Sequence, residues 1–414
     1  MSIKKTTKFK ETDIGPIPEE WELLPLKKLT TKIGSGATPR GGNDTYSTDG
    51  KYRLIRSQNI FDDHFEYSGL AHINEEQATE LSNVEVKEND VLLNITGASL
   101  GRVNIVPVDV LPARVNQHVA ILRTNEKLNY IFLKNYLCLQ KVKSYILGHN
   151  AGATREAITK GMVENFIIPV PDINEQKKIA EILSSINDKI ELSRKISVNL
   201  EKLAGAIFKK WFVNVGDDLP KGWKIGRVSD LIRVESGFPF NSGMFDCDGD
   251  YKLVTIKNVQ DGFFVPECTD SLSKIPPKVP PHCKLKNGDI LLSLTGNVGR
   301  VCLIYGENYL LNQRVANLVP INENNRAFTY FLFRQKEFQN ILMSISRGTA
   351  QQNLSPIETK SLEIVIPSQE ALDSFADVAN PIFQKLVENN KEIGILSATR
   401  DTLLPRLMSG KIRV

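Results

Sequence analysis

Residues 174–212 read NEQKKIAEILSSINDKIELSRKISVNLEKLAGAIFKKWF. This stretch contains no Pro and only one Gly, Gly205, so little in it opposes a helix. Alternating steps of four and three residues from Ile179 to Ile207 meet nine positions, seven of which are apolar. Such a narrow apolar stripe predicts a long helix with a coiled-coil seam. At a rise of 1.5 Å per residue the helix would be about 58 Å long, and its stripe requires a partner to cover it.

A second stretch near the end of the chain has the same pattern. The same steps from Phe375 to Leu407 meet ten positions, eight of which are apolar. Polar residues lie near the middle of each stripe, Ser193 and Ser197 in the first and Asn389 in the second. In an antiparallel pair these middles meet, and a polar layer there fixes the register. We therefore predict an antiparallel intramolecular coiled coil, the alternative being two helices that pack separately on their own domains. The predicted seam comprises Ile179, Leu183, Ile186, Ile190, Leu200, Ile382, Leu386, Asn389, Ile393, Leu396 and Leu403.

Length and composition limit the class of protein. The 414 residues exceed what one hydrophobic core usually organises, so at least two domains are expected. Hydrophobic residues make up 41% and charged residues 24%, which is typical of a soluble globular protein without a membrane partner. The five Cys form no CxxC pair, which disfavours a zinc site or a disulfide framework and favours the cytoplasm. The formal net charge of +4 permits nucleic-acid binding without requiring it.

The rest of the chain repeats itself after about 200 residues. The best match aligns DVLLNITG at residues 90–97 with DILLSLTG at 289–296, and Gly-Arg-Val follows each within five residues. Each copy is predicted to be an α+β domain in which this segment is a buried strand closed by a Thr-Gly turn. Asn174 and Ser368 are the expected N-caps of the long helices. Single helices are predicted at 130–147 and 328–344, and the predicted boundaries are a first domain at 1–172, a first long helix at 173–213, a second domain at 214–367, and a second long helix with a tail at 368–414.

Motifs for catalysis are scarce. The sequence contains no GxGxxG, no Walker A motif and no HExxH, and none of its five His is spaced to share a metal with another His or Cys. Residues 380–383 read Asn-Pro-Ile-Phe and resemble the motif with which adenine methyltransferases hold a flipped base. These residues fall within the second long helix, and no Gly-rich cofactor loop accompanies them, so we interpret Pro381 as a structural feature of that helix. We predict no catalytic residue and no metal ligand.

Loops rich in amides, hydroxyls and guanidinium groups occur at corresponding positions of the two copies. Arg can bond guanine bidentately, Asn or Gln can bond adenine, and Lys, Arg and backbone amides can hold phosphates. For any single residue the alternative is a solvated loop. The DNA-binding candidates are Arg40, Arg56, Gln58, Asn59, Thr96, Arg102, Asn116, Gln117 and Arg155 in the first copy, and Lys257, Asn258, Thr295, Arg300, Gln313, Arg314, Arg347 and Gln351 in the second.

The chain resembles a specificity subunit of a type I restriction-modification enzyme over nearly its full length. The resemblance rests on the ordered repetition of several motifs. These are IGPIPEEW at 14–21 with LPKGW at 219–223, the two Thr-Gly segments above, NQHVAIL at 116–122 with NQRVANL at 312–318, and LLPRLMSGKIRV at 403–414.

The resemblance implies a non-catalytic subunit with two target-recognition domains, each binding one half of a bipartite, asymmetric site on double-stranded DNA. It implies that the two long helices pair antiparallel and separate these domains. The partners would be two methyltransferase subunits and restriction/translocase subunits. S-adenosylmethionine, ATP and Mg²⁺ would be bound by those partners and no cofactor by this chain.

Two alternatives remain open. The chain could serve a methyltransferase-only or orphan system, or it could be a coiled-coil scaffold that binds proteins and has no role on DNA. Salt-dependent DNA binding separates the scaffold from the other two, because neutralising phosphates makes log affinity fall linearly with log salt concentration.

Overall fold

The structure is a computed structural model that describes residues 7–39, 41–148, 157–214, 218–246, 248–348 and 352–414. The chain divides into two compact units. Unit 1 comprises Met1–Asp188 and Ala398–Val414, and unit 2 comprises Lys189–Ser397. Each unit therefore contains one folded repeat and part of both long helices.

Unit 1 is an α+β unit made of short strands and four short helices among the described residues. Its helices are α1 (Glu75–Glu80), α2 (Tyr130–Leu137), α3 (Gln140–Gly148) and α4 (Lys160–Glu164). Its strands are β1 (Phe9–Lys10), β2 (Ile17–Pro18), β3 (Glu22–Pro25), β4 (Thr30–Ser35), β5 (Tyr52–Ile55), β6 (Ala71–Ile73), β7 (Glu85–Val86), β8 (Val91–Asn94), β9 (Val103–Ile105), β10 (Ala113–Val115), β11 (Val119–Thr124) and β12 (Ile167–Val170).

Two four-stranded sheets form the centre of unit 1. One has the order β4-β11-β8-β9 and is antiparallel, with Ile121 of β11 opposite Leu92 of β8. The other has the order β6-β5-β10-β7 and contains one parallel pair, β5 with β10. All four residues of β8 are buried, as its continuous apolar run predicts. Leu93 faces a core shared with the α-helices, whereas Leu92 belongs to a second core under β5 and β10.

Unit 2 repeats this architecture. Its short helices are α6 (Arg326–Arg334), α7 (Lys336–Ile345) and α8 (Pro356–Ser361). Its strands are β13 (Lys224–Arg227), β14 (Ile232–Ser236), β15 (Tyr251–Val254), β16 (Ser271–Leu272), β17 (Ile290–Ser293), β18 (Val301–Leu303), β19 (Tyr309–Leu311), β20 (Val315–Pro320) and β21 (Glu363–Ile366).

The sheets of unit 2 follow the order found in unit 1. The sheet β14-β20-β17-β18 matches β4-β11-β8-β9, and β16-β15-β19 matches β6-β5-β10 with the same parallel pair. The strand pair β13-β21 matches β3-β12. The internal repeat in the sequence therefore corresponds to a repeated fold.

The structure corrects the two helices predicted at 130–147 and 328–344. Each is divided into two, α2 with α3 and α6 with α7. In unit 2 the division is at Gln335, whose ψ of 131° is extended and cannot continue a helix. In unit 1 it lies between Leu137 and Gln140. Apolar residues continue across the division in unit 1, whereas in unit 2 the division falls in the polar run RQKE at 334–337. Neither division contains a Pro or Gly, so the sequence carried no helix-breaking signal there.

The long helices are α5 (Ile173–Phe208), which a π-helical turn at Lys209–Val213 extends, and α9 (Gln369–Met408). At the start of α5 the backbone N–H of Asn174 donates to Asp172 Oδ1 at 2.9 Å, so Asp172 is the cap and the prediction of Asn174 was wrong. Ser368 caps α9 as predicted, because its Oγ accepts from Ala371 N at 3.3 Å.

The two long helices pair antiparallel within each unit. In unit 1, Arg400 Nη1 donates to Asn187 Oδ1 at 3.5 Å. In unit 2, Asn389 Nδ2 donates to Ser197 Oγ at 3.1 Å and Ser193 Oγ donates to Glu392 Oε2 at 3.3 Å. As residue numbers rise along α5 they fall along α9, which confirms the antiparallel pairing. The polar layer expected at Ser193, Ser197 and Asn389 is present.

The predicted seam residues are buried to different extents. Ile179 and Leu183 are fully buried in the core of unit 1, and Leu386 and Asn389 are 4% and 3% exposed in unit 2. The other buried members are Ile190 and Ile393, and the half-buried members are Ile186, Leu200, Ile382, Leu396 and Leu403. Burial is deepest where the helices also contact the folded repeat, as at Ile179 and Leu183.

The Asn-Pro-Ile-Phe segment is structural. Helix α9 continues through Pro381. Asn380 Oδ1 accepts from Ala327 N at 3.3 Å, and its Nδ2 donates to Asn324 O at 2.9 Å, so this side chain secures the first turn of α6. Phe383 is 1% exposed in the core of unit 2. The segment therefore docks α6 on α9.

Candidate nucleic-acid interface

Matching turns close the buried central strand of each unit. Gly97 follows β8 with φ +71°, and Gly296 follows β17 with φ +70°, a left-handed conformation that favours glycine. A later segment pairs beside each turn: Ile158 N donates to Ile95 O at 2.9 Å, and Leu354 N donates to Leu294 O at 2.7 Å. Both units thus present a Thr-Gly turn with the same glycine conformation at the same end of the matching sheet.

In unit 1 the turn forms one side of a shallow cavity of about 430 Å³. Three predicted DNA-binding residues, Gln58, Thr96 and Arg102, lie together at its wall. The Arg102 guanidinium is 4.3 Å from the centroid of the Phe61 ring, a cation–π contact that orients it. The remaining lining residues are Ser57, Gly97, Ala98, Ser99 and His118.

His118 was not predicted from the sequence. Its Nδ1 lies 2.5 Å from Thr96 Oγ1 and its Nε2 lies 3.1 Å from Gln117 Nε2. Gln117 Oε1 in turn accepts from Thr38 Oγ1 at 2.6 Å. A lone His carries little signal in a sequence, and its partner Thr96 is 22 residues away. One indication of a role for His118 was present in the sequence, where it follows Gln117 in a loop already rich in amides.

The matching site of unit 2 holds its arginine differently. Arg300, which corresponds to Arg102, donates to the side chain of Gln260, the residue that stands where unit 1 has Phe61. Lys257, Gln313 and Arg314 are exposed around the Thr295 turn. Arg347 is 84% exposed and pairs with Glu358. Corresponding positions of the two units therefore present different chemical groups.

The structure assigns Asn59 and Asn258 to the framework of their loops. Asn59 is 0% exposed; its Oδ1 accepts from Arg56 N at 3.0 Å and its Nδ2 donates to Glu66 O at 2.9 Å. Asn258 repeats this geometry, accepting from Thr255 N at 2.8 Å and donating to Val265 O at 2.9 Å. Both amides are used inside the protein, which corrects the prediction that they meet DNA bases.

Two further candidates also form hydrogen bonds within the protein. Asn116 is 6% exposed, and its Oδ1 accepts from His118 N at 3.1 Å. Arg56 donates from Nη2 to Gly69 O at 2.7 Å and lies 5.4 Å from the ring centroid of Tyr46. Burial raises the pKa of Tyr46, so this ring remains a neutral partner. The predicted residues Arg40, Arg155 and Gln351 lie outside the described residues.

The chemistry of the described residues suits recognition. No group of three or more His, Cys, Asp or Glu in the described part of the chain is arranged to hold a metal ion. The described cysteines are free thiols, and burial raises the pKa of Cys268 to about 12, which leaves it protonated and a poor nucleophile. The groups gathered at the Thr-Gly turns are hydroxyls, amides, an imidazole and guanidinium groups, which form hydrogen bonds to bases and phosphates.

The repeated fold and its matching polar turns define a two-module recognition protein. The chain belongs to the type I restriction modification DNA specificity domain family, whose model matches residues 18–202 and 220–393. It is 26% identical to the type I restriction enzyme MjaIX specificity subunit of Methanocaldococcus jannaschii, over 99% of this chain and 97% of that protein. It is 24% identical to the HindI specificity subunit of Haemophilus influenzae, over 80% of this chain and 90% of that protein.

A solved structure supports the fold. The type I restriction-modification S subunit of M. genitalium matches with a TM-score of 0.60 at 17% identity, covering 97% of this chain and 99% of that one. Family membership makes this chain a DNA specificity subunit, which recognises DNA and is not itself an enzyme. DNA and the modification and restriction subunits are accordingly its partners. Within the described ranges no helix is both long and apolar enough to cross a membrane.

Proposed function

We propose that the chain reads a bipartite, asymmetric site on double-stranded DNA, one half with each unit. The observation that carries this proposal is the repeated turn with different neighbours: Arg102 lies against Phe61, whereas Arg300 is bonded to Gln260. The Thr-Gly turns close the same strand of each unit, and the groups beside their arginines differ, an aromatic ring at Phe61 and an amide at Gln260, so each site has its own donors and acceptors. Base readout depends on that pattern, so two unlike half-sites follow.

The chain recruits two methyltransferase subunits that methylate adenine, together with ATP-driven restriction/translocase subunits, and the assembly works in the cytoplasm. S-adenosylmethionine, ATP and Mg²⁺ are bound by those partners. Support comes from the relatives, which are named specificity subunits of type I restriction enzymes. The side chains at the turns are suited to hydrogen bonding, which fits a chain that binds DNA while its partners bind the cofactors.

Binding to DNA at several salt concentrations tests the DNA role. Each phosphate contact that is neutralised adds about 0.9 to the negative slope of log affinity against log salt. A slope of several units supports the proposal, whereas affinity that does not change with salt indicates the protein scaffold.

Co-expression with the neighbouring methyltransferase gene, followed by mapping of methylated adenines, tests the partners. Methylation of a bipartite motif supports recruitment. Restriction of unmethylated DNA when the neighbouring restriction gene is added distinguishes a full type I system from a methyltransferase-only system.

A further inference from the structure

A chain of hydrogen bonds crosses three loops of unit 1. Thr38 Oγ1 donates to Gln117 Oε1 at 2.6 Å, and Gln117 Nε2 lies 3.1 Å from His118 Nε2. His118 Nδ1 lies 2.5 Å from Thr96 Oγ1 in the Thr-Gly turn. The backbone beneath is fixed as well, because Asn116 N donates to Ile55 O at 3.2 Å and His118 N donates to Asn116 Oδ1 at 3.1 Å.

This chain of bonds holds the Gln117 amide in place between Thr38 and His118. The oxygen faces Thr38 and the nitrogen faces His118. When His118 accepts at Nε2 it carries its proton on Nδ1 and donates to Thr96 Oγ1. Turning the amide over would require the Thr38 hydroxyl, the imidazole tautomer and the Thr96 hydroxyl to change together. An exposed Gln normally rotates freely, so Gln117 is preorganised.

The fixed amide still has one acceptor and one donor to offer. An amide oxygen has two lone pairs and an amide nitrogen has two hydrogens, and the bonds to Thr38 and His118 use one of each. Adenine presents the complementary pair in the major groove, its N6 amino group as donor and its N7 as acceptor. Guanine presents two acceptors there, so its O6 would face the amide oxygen without a hydrogen between them.

We propose that Gln117 reads one adenine in the half-site of unit 1 and that Thr38 and His118 are positioning residues that hold its amide for this contact. This inference rests on the proposed DNA-reading function and adds the base and the residues. A bidentate contact of this kind discriminates against the wrong base by about 1 to 3 kcal/mol, or about 5- to 150-fold.

Unit 2 lacks this arrangement. Gln313 occupies the position of Gln117, but Arg314 follows it where unit 1 has His118. A guanidinium group has donors only, so it cannot accept from the glutamine amide. Ser236 pairs with Ala316 as Ser35 pairs with Ala120, and this register places Pro239, which has no hydroxyl, at the position of Thr38. The preorganised amide therefore belongs to unit 1, and the two units read their half-sites differently.

The test is selection of bound sequences from a random duplex library by the full chain co-expressed with its methyltransferase partner. Gln117→Ala is expected to remove the preference for adenine, about 5-fold or more, at one position of one half-site. Thr38→Val and His118→Leu are expected to weaken the same preference, while Thr38→Ser retains the hydroxyl and the preference. Gln313→Ala is the matched control and leaves that position unchanged. Thr38 and Gln117 are exposed, and thermal melting verifies that each variant is folded.

Three results would overturn the inference. An unchanged motif with Gln117→Ala removes Gln117 from base reading. If Gln117→Ala weakens binding equally at every base position of the motif, Gln117 contributes to phosphate binding or to the fold. A Thr38→Val variant that keeps the full preference removes the positioning role. A wild-type chain that selects no motif overturns the proposed DNA-reading function itself, and this failure is distinct because it precedes any comparison of variants.

Discussion

The buried Asn59 separates a framework role from base reading. Asn59→Ala removes two hydrogen bonds, from Arg56 N at 3.0 Å and to Glu66 O at 2.9 Å. Leaving a buried donor or acceptor without a partner costs about 1 to 3 kcal/mol. Both partners here are only partly buried, and water can replace some of each bond, so we expect a loss of about 2 to 4 kcal/mol. For a unit of this size, the melting temperature would fall by about 5 to 15 °C.

Hydrogen exchange followed by mass spectrometry localises the effect. Peptides covering residues 52–73 are expected to lose protection in Asn59→Ala, while peptides covering 251–272 retain it. Asn258→Ala is expected to give the reverse pattern, because it repeats the geometry in unit 2. Gln58→Ala is the control, since Gln58 is exposed and the change is expected to alter stability by less than about 0.5 kcal/mol. Unchanged protection in Asn59→Ala, together with an altered base preference, would refute the framework role and show that Asn59 contacts DNA bases.

Three further predictions test other parts of the structure. Leu183→Ala is expected to lower the free energy of unfolding by about 2 to 5 kcal/mol in urea denaturation, because Leu183 is fully buried. Leu192→Ala, at a position 53% exposed, should change it by less than about 0.5 kcal/mol. Equal losses from the two variants would contradict the assignment of Leu183 to the seam. Burial raises the pKa of the Asp289 carboxyl in the folded state. The stability that this group contributes is therefore fully present below its unfolded-state pKa of about 4, and it is lost as pH rises through the folded-state pKa. Asp289→Asn should thus keep or raise the urea midpoint at pH 7, and a lower midpoint would contradict this reasoning. Asp90→Asn disrupts two 2.8 Å bonds to Arg123 and should lower stability by about 1 to 3 kcal/mol. Arg102→Ala is expected to weaken binding to all DNA sequences alike and to flatten the salt slope by about one unit, as measured by fluorescence anisotropy, and a change confined to one base position would show base reading instead.

The fold was predictable because its main signals are periodic or repeated. The heptad stripes predicted the long helices and their antiparallel pairing, since a stripe too narrow for a globular core needs a second helix. The alignment of residues 90–97 with 289–296 predicted two α+β copies with the same turn. The divisions within the helices at 130–147 and 328–344 were not predicted, because neither division contains a Pro or Gly that would mark the end of a helix.

The candidate site was less predictable because exposure is set by distant contacts. Asn59 and Gln58 are neighbours in a polar loop, yet one is fully buried and the other is exposed. The difference depends on Glu66 O, whose position is set only when the loop closes. His118 was missed for a similar reason, since its role depends on Thr96 across the turn. Asn380 supports α6 from 53 residues away along the chain, which no local motif reveals.

The assignment of one half-site to each unit is tested most directly by mapping methylated adenines in cells that co-express the chain and its methyltransferase partner. The wild-type chain is expected to give a motif with two specified blocks separated by unspecified bases. Gln117→Ala should alter only one block and Gln313→Ala only the other. A single uninterrupted block, or changes from both variants in the same block, would contradict the assignment.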